Sequence, residues 1–259
     1  MKLEAYAEAF STHARLRRQD GILEVTLHTD GDTLQWGIKV HDELPRLFYE
    51  IADDRDNRVV ILTGAGDSFT GPRATHETRS MKARPTPESW DSSLFQGRRL
   101  EENLLNIEVP VICALNGPPY RHMELALLSD IVIASDTAVF EDPGHFRTGD
   151  LAPGDSIHLV CSNLMGHNRA RYFQLMGQTL SAEEAKQLGL VAEVLPKEAV
   201  LPRAWEIARY LAAKPTLMLR YTRVMFTQEI KRQMHDLLTM GLALEGLAVC
   251  GEESTYPRR

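Results

Sequence analysis

The chain has 259 residues, of which 43% are apolar and 25% charged, and carries a formal net charge of −7. That length can bury roughly three quarters of its unfolded surface without covalent staples, whereas the acidic balance argues against nucleic acid or an anionic membrane as partner, since both call for clustered Lys and Arg. No apolar run approaches the roughly 20 residues of a membrane span, the start MKLEAYAEAF lacks the apolar block of a signal peptide, and the expected location is cytoplasmic.

The three cysteines, Cys113, Cys161 and Cys250, show no CxxC spacing and cannot all pair, so neither a disulfide framework nor a structural zinc is expected. In chain order, a short amphipathic helix to about Thr12 precedes LRRQDGILEVTLHT, whose alternation predicts a hairpin turning at Asp20-Gly21. Leu44, Leu47, Phe48 and Ile51 keep helical spacing, and VVILTG at Val59–Gly64 reads as the next strand, which completes a β-α-β unit. Gly64 to about Pro87 reads as a long loop, followed by a helix with Pro87 just inside its start and then the strand PVICALNG. A short helix and the strands SDIVIAS and AVFED come next. Helices are expected at about Pro153–Met165, Arg169–Met176 and Ser181–Leu188, the last with a Ser181…Glu184 capping box, and a strand VAEVLP follows. From Leu201 onward the pattern is helical with a break at Pro215, which suggests a core over 1–200 and a helical C-terminal region over 201–259.

Four polar residues stand out. Glu245 is the lone charge in LLTMGLALEGLAVC, Leu237–Cys250, a helix apolar enough to be buried all round, in this fold or against another subunit. A buried carboxylate there calls for a cation, a histidine or backbone donors. His122 follows the turn Gly117–Arg121 and is expected to open a helix, with Glu124 directed elsewhere by helical geometry. His145 lies in the turn-rich DPGHFRTGD, and Asp155 is either a helix N-cap or the group that orients His145, with Asp150 and His158 as competing partners. GxSxG, GxGxxG and GxxxxGK[ST] are all absent, which argues against serine-hydrolase, dinucleotide and P-loop chemistry. The His and carboxylate spacings match no metal motif, so no metal is expected.

At VVILTGAGDSF, EVPVICALNGPP, ELALLSDIVIAS, FEDPG and APGD the chain resembles the crotonase (enoyl-CoA hydratase/isomerase) superfamily over about Gly21 to Val249. The resemblance implies an α/β spiral of β-β-α units with a helical C-terminal trimerisation region, and hence a homo-oligomer, a trimer or a dimer of trimers. In the CoA-using members two backbone N–H groups stabilise a thioester enolate. Here Pro119-Tyr120-Arg121-His122 stands where those members carry glycines, and Thr70-Gly71-Pro72-Arg73 replaces the AGAD-like turn. Proline removes a donor from such a site. The paired glutamates of the hydratases are also missing, since Gly144 and His145 follow Asp142-Pro143.

These departures resemble the β-diketone hydrolase branch, typified by 6-oxocamphor hydrolase, on Trp36, HDEL at His41–Leu44, His122, His145, PGD ending at Asp155, RYF, PRAWE and Glu245. The resemblance implies cofactor-independent retro-Claisen hydrolysis of a cyclic or bicyclic β-diketone to a keto acid. His145 with Asp155 would activate water, His122 with Glu245 would stabilise and protonate the enolate, and Trp36 would donate from its indole N–H or wall the substrate pocket. Met81, Trp90, Phe95 and Met123 are further pocket candidates, although aromatic and Met residues at helical spacing belong more often to a core. Two alternatives stand beside this reading: an acyl-CoA hydratase, isomerase or thioesterase, and a non-catalytic binding protein on the same fold.

Overall fold

A computed structural model describes residues 2–75, 85–147 and 151–250. After helix α1 (Leu3–Ala9), the strands β1 (Ala14–Gln19) and β2 (Ile22–Leu27) pair antiparallel. They turn at Asp20 and Gly21, whose φ values of 53° and 78° are the two left-handed residues that a two-residue hairpin needs. Beyond the hairpin lie β3 (Leu34–Gln35), α2 (Ile38–Asp53), β4 (Val59–Gly64), β5 (Thr70–Gly71), α3 (Pro87–Leu105) and β6 (Val111–Leu115). Thr86 caps α3 through Ser89 N, with Pro87 in the first turn.

The chain continues through α4 (Met123–Leu127), β7 (Ile131–Ser135), β8 (Val139–Phe140), α5 (Ile157–Met165), α6 (His167–Leu175), β9 (Leu180–Ser181), α7 (Ala182–Gln187) and β10 (Glu193–Leu195). Ser181 and Glu184 form the expected capping box of α7. Two long helices end the described chain, α8 (Lys197–Ala212) and α9 (Thr216–Cys250).

The main sheet runs β1-β2-β4-β6-β7-β10, antiparallel only at β1-β2. Its parallel strands are apolar on both faces, as sheets covered on both sides are. One face carries Val60, Leu62, Val111 and Cys113 into the main core with α2 and α3; the other presents Val59, Ile61, Ile112 and Ala114 to Trp205 and Ala208 of α8. Each fully buried side chain of this kind contributes about 1.5–3 kcal/mol. The division at residue 200 therefore falls inside α8, whose Val200 and Ala204 belong to one buried cluster covering the sheet.

A smaller parallel pair, β3-β5, is extended by a bridge from Thr70 to Pro119. Together they bring the residue after β3, Trp36, beside the turn that follows β6. The helix around Glu245 is not buried all round within the chain: Leu238, Leu242 and Val249 are buried, but Met240, Leu244 and Leu247 are exposed. No helix among the described residues is long and apolar enough to cross a membrane.

Candidate active site

His122 ends the turn after β6 and takes a left-handed conformation, φ 50° and ψ 53°, as the N-cap of α4. Because it stands outside the helix, the helical rule that separates residues i and i+2 does not govern it. Its Nδ1 lies 2.5 Å from Oε1 of Glu124, a side chain only 2% exposed. Glu124 therefore does not point elsewhere, and Glu245 is not the partner of His122. The His122 ring is tilted against Trp36 with centroids 4.0 Å apart, and His41 of α2 stands edge-on to both at 5.0 and 5.4 Å. Trp36 Nε1 and His41 Nδ1 are buried and have no hydrogen-bond partner among the described residues. Both groups are available to hydrogen-bond a ligand or a water.

His145 occupies the turn after β8. Asp142, three residues earlier, holds its Nδ1 at 2.7 Å, and its Nε2 lies 3.4 Å from Oδ2 of Asp155 and 3.5 Å from Oε1 of Glu245. Asp155 is not the N-cap of α5; that position is Ser156, again left-handed at φ 65°. His158, the competing partner, is bonded instead to the Pro153 carbonyl at 2.7 Å, and Asp150 lies outside the described residues. Glu245 reaches this cluster because Gly154 and Gly241 touch backbone to backbone: a Cβ on either would collide with the other's carbonyl. Trp90 strengthens the same junction by donating to Leu242 O at 2.9 Å.

The two imidazoles live in opposite fields. Burial holds His122 at about 4 and His41 at about 3, so both rings are neutral near pH 7. Burial also works against the charged form of His145, but Asp142, Asp155 and Glu245 outweigh it and raise its pKa well above the usual histidine value. Burial pushes up the carboxyls of Glu124 and Glu245, and the surrounding acids Asp155 and Asp142 add to it. A further acid, Glu101 of α3, is 1% exposed with both oxygens unpartnered among the described residues. Burial, Glu124 and Asp155 raise its pKa well above the ordinary range. A sequence signal for it exists: Glu101 sits on the stripe that buries Leu100, Leu104 and Leu105.

Around the mouth, Glu141 is tied by Arg73 at 2.5 and 2.8 Å and by Arg147 at 2.9 Å, which joins the turn after β5 to the His145 turn. A small cavity of about 20 Å³, room for about one water molecule, lies between His122, Glu124, Asp142, His145, Asp155 and Met123. The turn before His122 offers few free backbone donors. Pro72, Pro118 and Pro119 have none, Tyr120 N is bonded to Thr70 O at 3.1 Å, and Arg121 N to Thr70 Oγ1 at 3.1 Å.

Of the residues singled out by sequence, His122, His145, Asp155, Glu245 and Trp36 come together, and Met123 lines the cavity. Phe95 does not join them: it is 49% exposed on α3 with the Arg99 guanidinium 5.1 Å from its ring. Trp90 packs at the junction with α9, and Met81 lies outside the described residues. Sequence reasoning passed over Glu124, Asp142 and Glu101. His122, Glu124 and Asp155 bring three ligand-type atoms within 4.8 Å of one another. Within this group the 2.5 Å contact of His122 with Glu124 is a hydrogen bond.

Residues 17–246 match the family model for enoyl-CoA hydratase/isomerase. A putative enoyl-CoA hydratase/isomerase of Bacillus subtilis, YngF, is 32% identical over 219 residues, covering 83% of this chain and 79% of that protein. The 1,2-epoxyphenylacetyl-CoA isomerase of Escherichia coli K12 is 29% identical over 199 residues, 76% and 75% of the two chains. Among solved structures, a β-diketone hydrolase from the cyanobacterium Anabaena sp. PCC 7120, bound to (S)-3-oxocyclohexyl acetic acid, superposes with a TM-score of 0.88 at 41% identity, covering 96% of this chain and 98% of that one.

Proposed function

We propose, on the premise that this chain belongs to the enoyl-CoA hydratase/isomerase family, that it is a carbon–carbon bond hydrolase which opens a cyclic or bicyclic β-diketone by retro-Claisen cleavage. One observation carries the reading: two imidazoles, each with its own acid, face one small cavity, and in the turn before His122 the residues Pro118 and Pro119 carry no N–H while Tyr120 and Arg121 give theirs to Thr70. An acyl-CoA enzyme of this family relies on backbone donors for its enolate, whereas a diketone hydrolase can use side chains. The likeness to the cyanobacterial β-diketone hydrolase, at 41% identity, supports the same reading.

In this mechanism water adds to one carbonyl, and the tetrahedral oxyanion collapses with rupture of the C–C bond to release an enolate, which is then protonated. Water is activated in the group formed by His145, Asp155 and Glu245. His145 rests as the imidazolium among its acids, and becomes a base once its Nε2 proton has passed to one of the carboxylates at 3.4 and 3.5 Å. Asp155 Oδ1 and Glu245 Oε2, buried and unpartnered among the described residues, are left as acceptors for the water. His122, neutral and stacked on Trp36, faces the second carbonyl and the enolate derived from it. No cofactor enters the scheme. The assembly is a homo-oligomer, a trimer or a dimer of trimers, in which the exposed apolar face of α9, with Met225, Phe226, Leu244 and Leu247, is covered.

The names of the curated relatives favour a second reading, an acyl-CoA hydratase or isomerase. Purified protein is to be incubated with a panel of bicyclic β-diketones and, separately, with short enoyl-CoA and acyl-CoA esters, with products followed by NMR. Keto-acid formation from a diketone is expected. Turnover of a CoA ester alone would replace this reading with the second, and consumption of neither class would leave a non-catalytic binding protein on the crotonase fold.

A further inference from the structure

The short contact between His122 Nδ1 and Glu124 Oε1, 2.5 Å, admits two arrangements. If Glu124 is a carboxylate, Nδ1 must carry the ring's one proton and Nε2 is a bare lone pair, unable to help a substrate carbonyl. If Glu124 is a carboxylic acid, its O–H donates to Nδ1 and the ring proton sits on Nε2, where it can donate. The surroundings select the second. Glu124 is 2% exposed. Burial, Asp155 from the turn before α5, Asp142 from the turn after β8 and Glu101 from α3 oppose a negative charge there, and they outweigh the backbone N–H of Glu124 and His145, which favour one. His145 is already held by Asp142 at 2.7 Å and flanked by Asp155 and Glu245.

We propose that Glu124 acts as a neutral carboxylic acid that fixes His122 as the Nε2–H tautomer and supplies the proton His122 gives to the enolate. The inference deepens the retro-Claisen reading and rests on it for its catalytic half. Protons balance along one path. Water adds its oxygen to the acyl carbon and leaves one proton on the His145–Asp155 group. The C–C bond breaks and its electron pair becomes the enolate. His122 Nε2–H then gives its proton to the enolate carbon while Glu124 O–H passes its own to Nδ1, so the ring is neutral throughout and leaves the step as the other tautomer. Nδ1 then returns its proton to Glu124 across the 2.5 Å contact, and the proton held by the His145–Asp155 group reaches the vacated Nε2 through the water that enters for the next turnover. The water taken from solvent thus supplies both the hydroxyl of the acid and the hydrogen on carbon.

The test has one arm that needs no substrate. With ¹⁵N-labelled histidine, the His122 ring, identified by its loss in His122→Gln, is expected to show Nε2 protonated and Nδ1 unprotonated at neutral pH. Glu124→Gln, whose amide still donates to Nδ1, should keep that tautomer, and Glu124→Ala should lose it. In the kinetic arm, on a diketone that the wild type cleaves, Glu124→Gln should keep KM but lower kcat about 10²–10⁴-fold, because an amide donates a hydrogen bond without giving up a proton. An Nδ1-protonated His122 in the wild type would overturn the proposal. So would a Glu124→Gln enzyme with wild-type kcat. Should the wild type cleave no diketone, the retro-Claisen reading fails separately, and the ¹⁵N spectra alone decide the state of Glu124.

Discussion

The carboxylate of Glu245 lies 3.5 Å from Nε2 of His145, the same nitrogen that Asp155 approaches at 3.4 Å. One imidazole nitrogen therefore faces two acids, while the other is bound to Asp142 at 2.7 Å. Such a ring is held charged by its neighbours, and its capacity to act as a base depends on how easily one of the two acids takes a proton from it.

Replacing His145 by Ala, or Asp155 by Asn, is expected to lower kcat on a cleavable diketone about 10²–10⁴-fold. Circular dichroism and the melting temperature, measured beside the kinetics, should show that the fold survives, because each side chain removed borders the cavity rather than the core. Wild-type rates in both variants would remove the water-activation assignment.

Asp142 is one of the acids that raise the pKa of His145. In the wild type, the activity that requires neutral His145 should rise with pH through that raised value. Asp142→Asn removes a negative charge from Nδ1, lowers the pKa and moves the rising limb to lower pH. A profile of kcat/KM against pH, paired with an NMR titration of the ring, checks both the sign and the residue.

Stability should respond to pH with opposite signs at two buried groups. His41 is held at about 3 by burial, below its unfolded value of ~6.5. Its contribution is fully present above ~6.5 and is lost as pH falls toward the folded value. Glu101 has a raised pKa, so its contribution is full below ~4.3 and is lost as pH rises through the folded value. Melting curves across pH should therefore steepen less on the acid side in His41→Asn, and less on the alkaline side in Glu101→Gln.

The apolar residues that α9 leaves exposed, Phe226 at 73% and Leu247 at 75%, predict self-association. Sedimentation analysis of the wild type should give a trimer or a hexamer. Phe226→Glu with Leu247→Glu should shift the protein toward smaller species; an unchanged mass would show that this face lies outside the subunit contacts.

The sheet, the hairpin at Asp20-Gly21 and the strand at Val59–Gly64 were legible because alternation and turn chemistry act locally. His122, His145, Asp155, Glu245 and Trp36 were legible as a group through family resemblance, but their pairing was not. Helical periodicity sends Glu124 away from His122, and only the left-handed backbone of His122 reverses that. Assigning Glu245 to His122 required knowing where α9 crosses, which no local pattern carries. Asp142 and Glu101 were missed for different reasons: the first bonds across a turn, and the second hides in an otherwise ordinary amphipathic helix.

The bare backbone contact of Gly154 with Gly241 sets when the site comes into being as well as where it lies. During synthesis the strands, His122 and His145 have all emerged before α9 is made, so a nascent chain holds the imidazoles without Glu245. Asp142 and Asp155 precede α9 in the chain, and Glu245 joins them only when the last helix settles on Gly154. A chain that stops before α9 therefore lacks the third acid beside His145, and that acid arrives with the final helix.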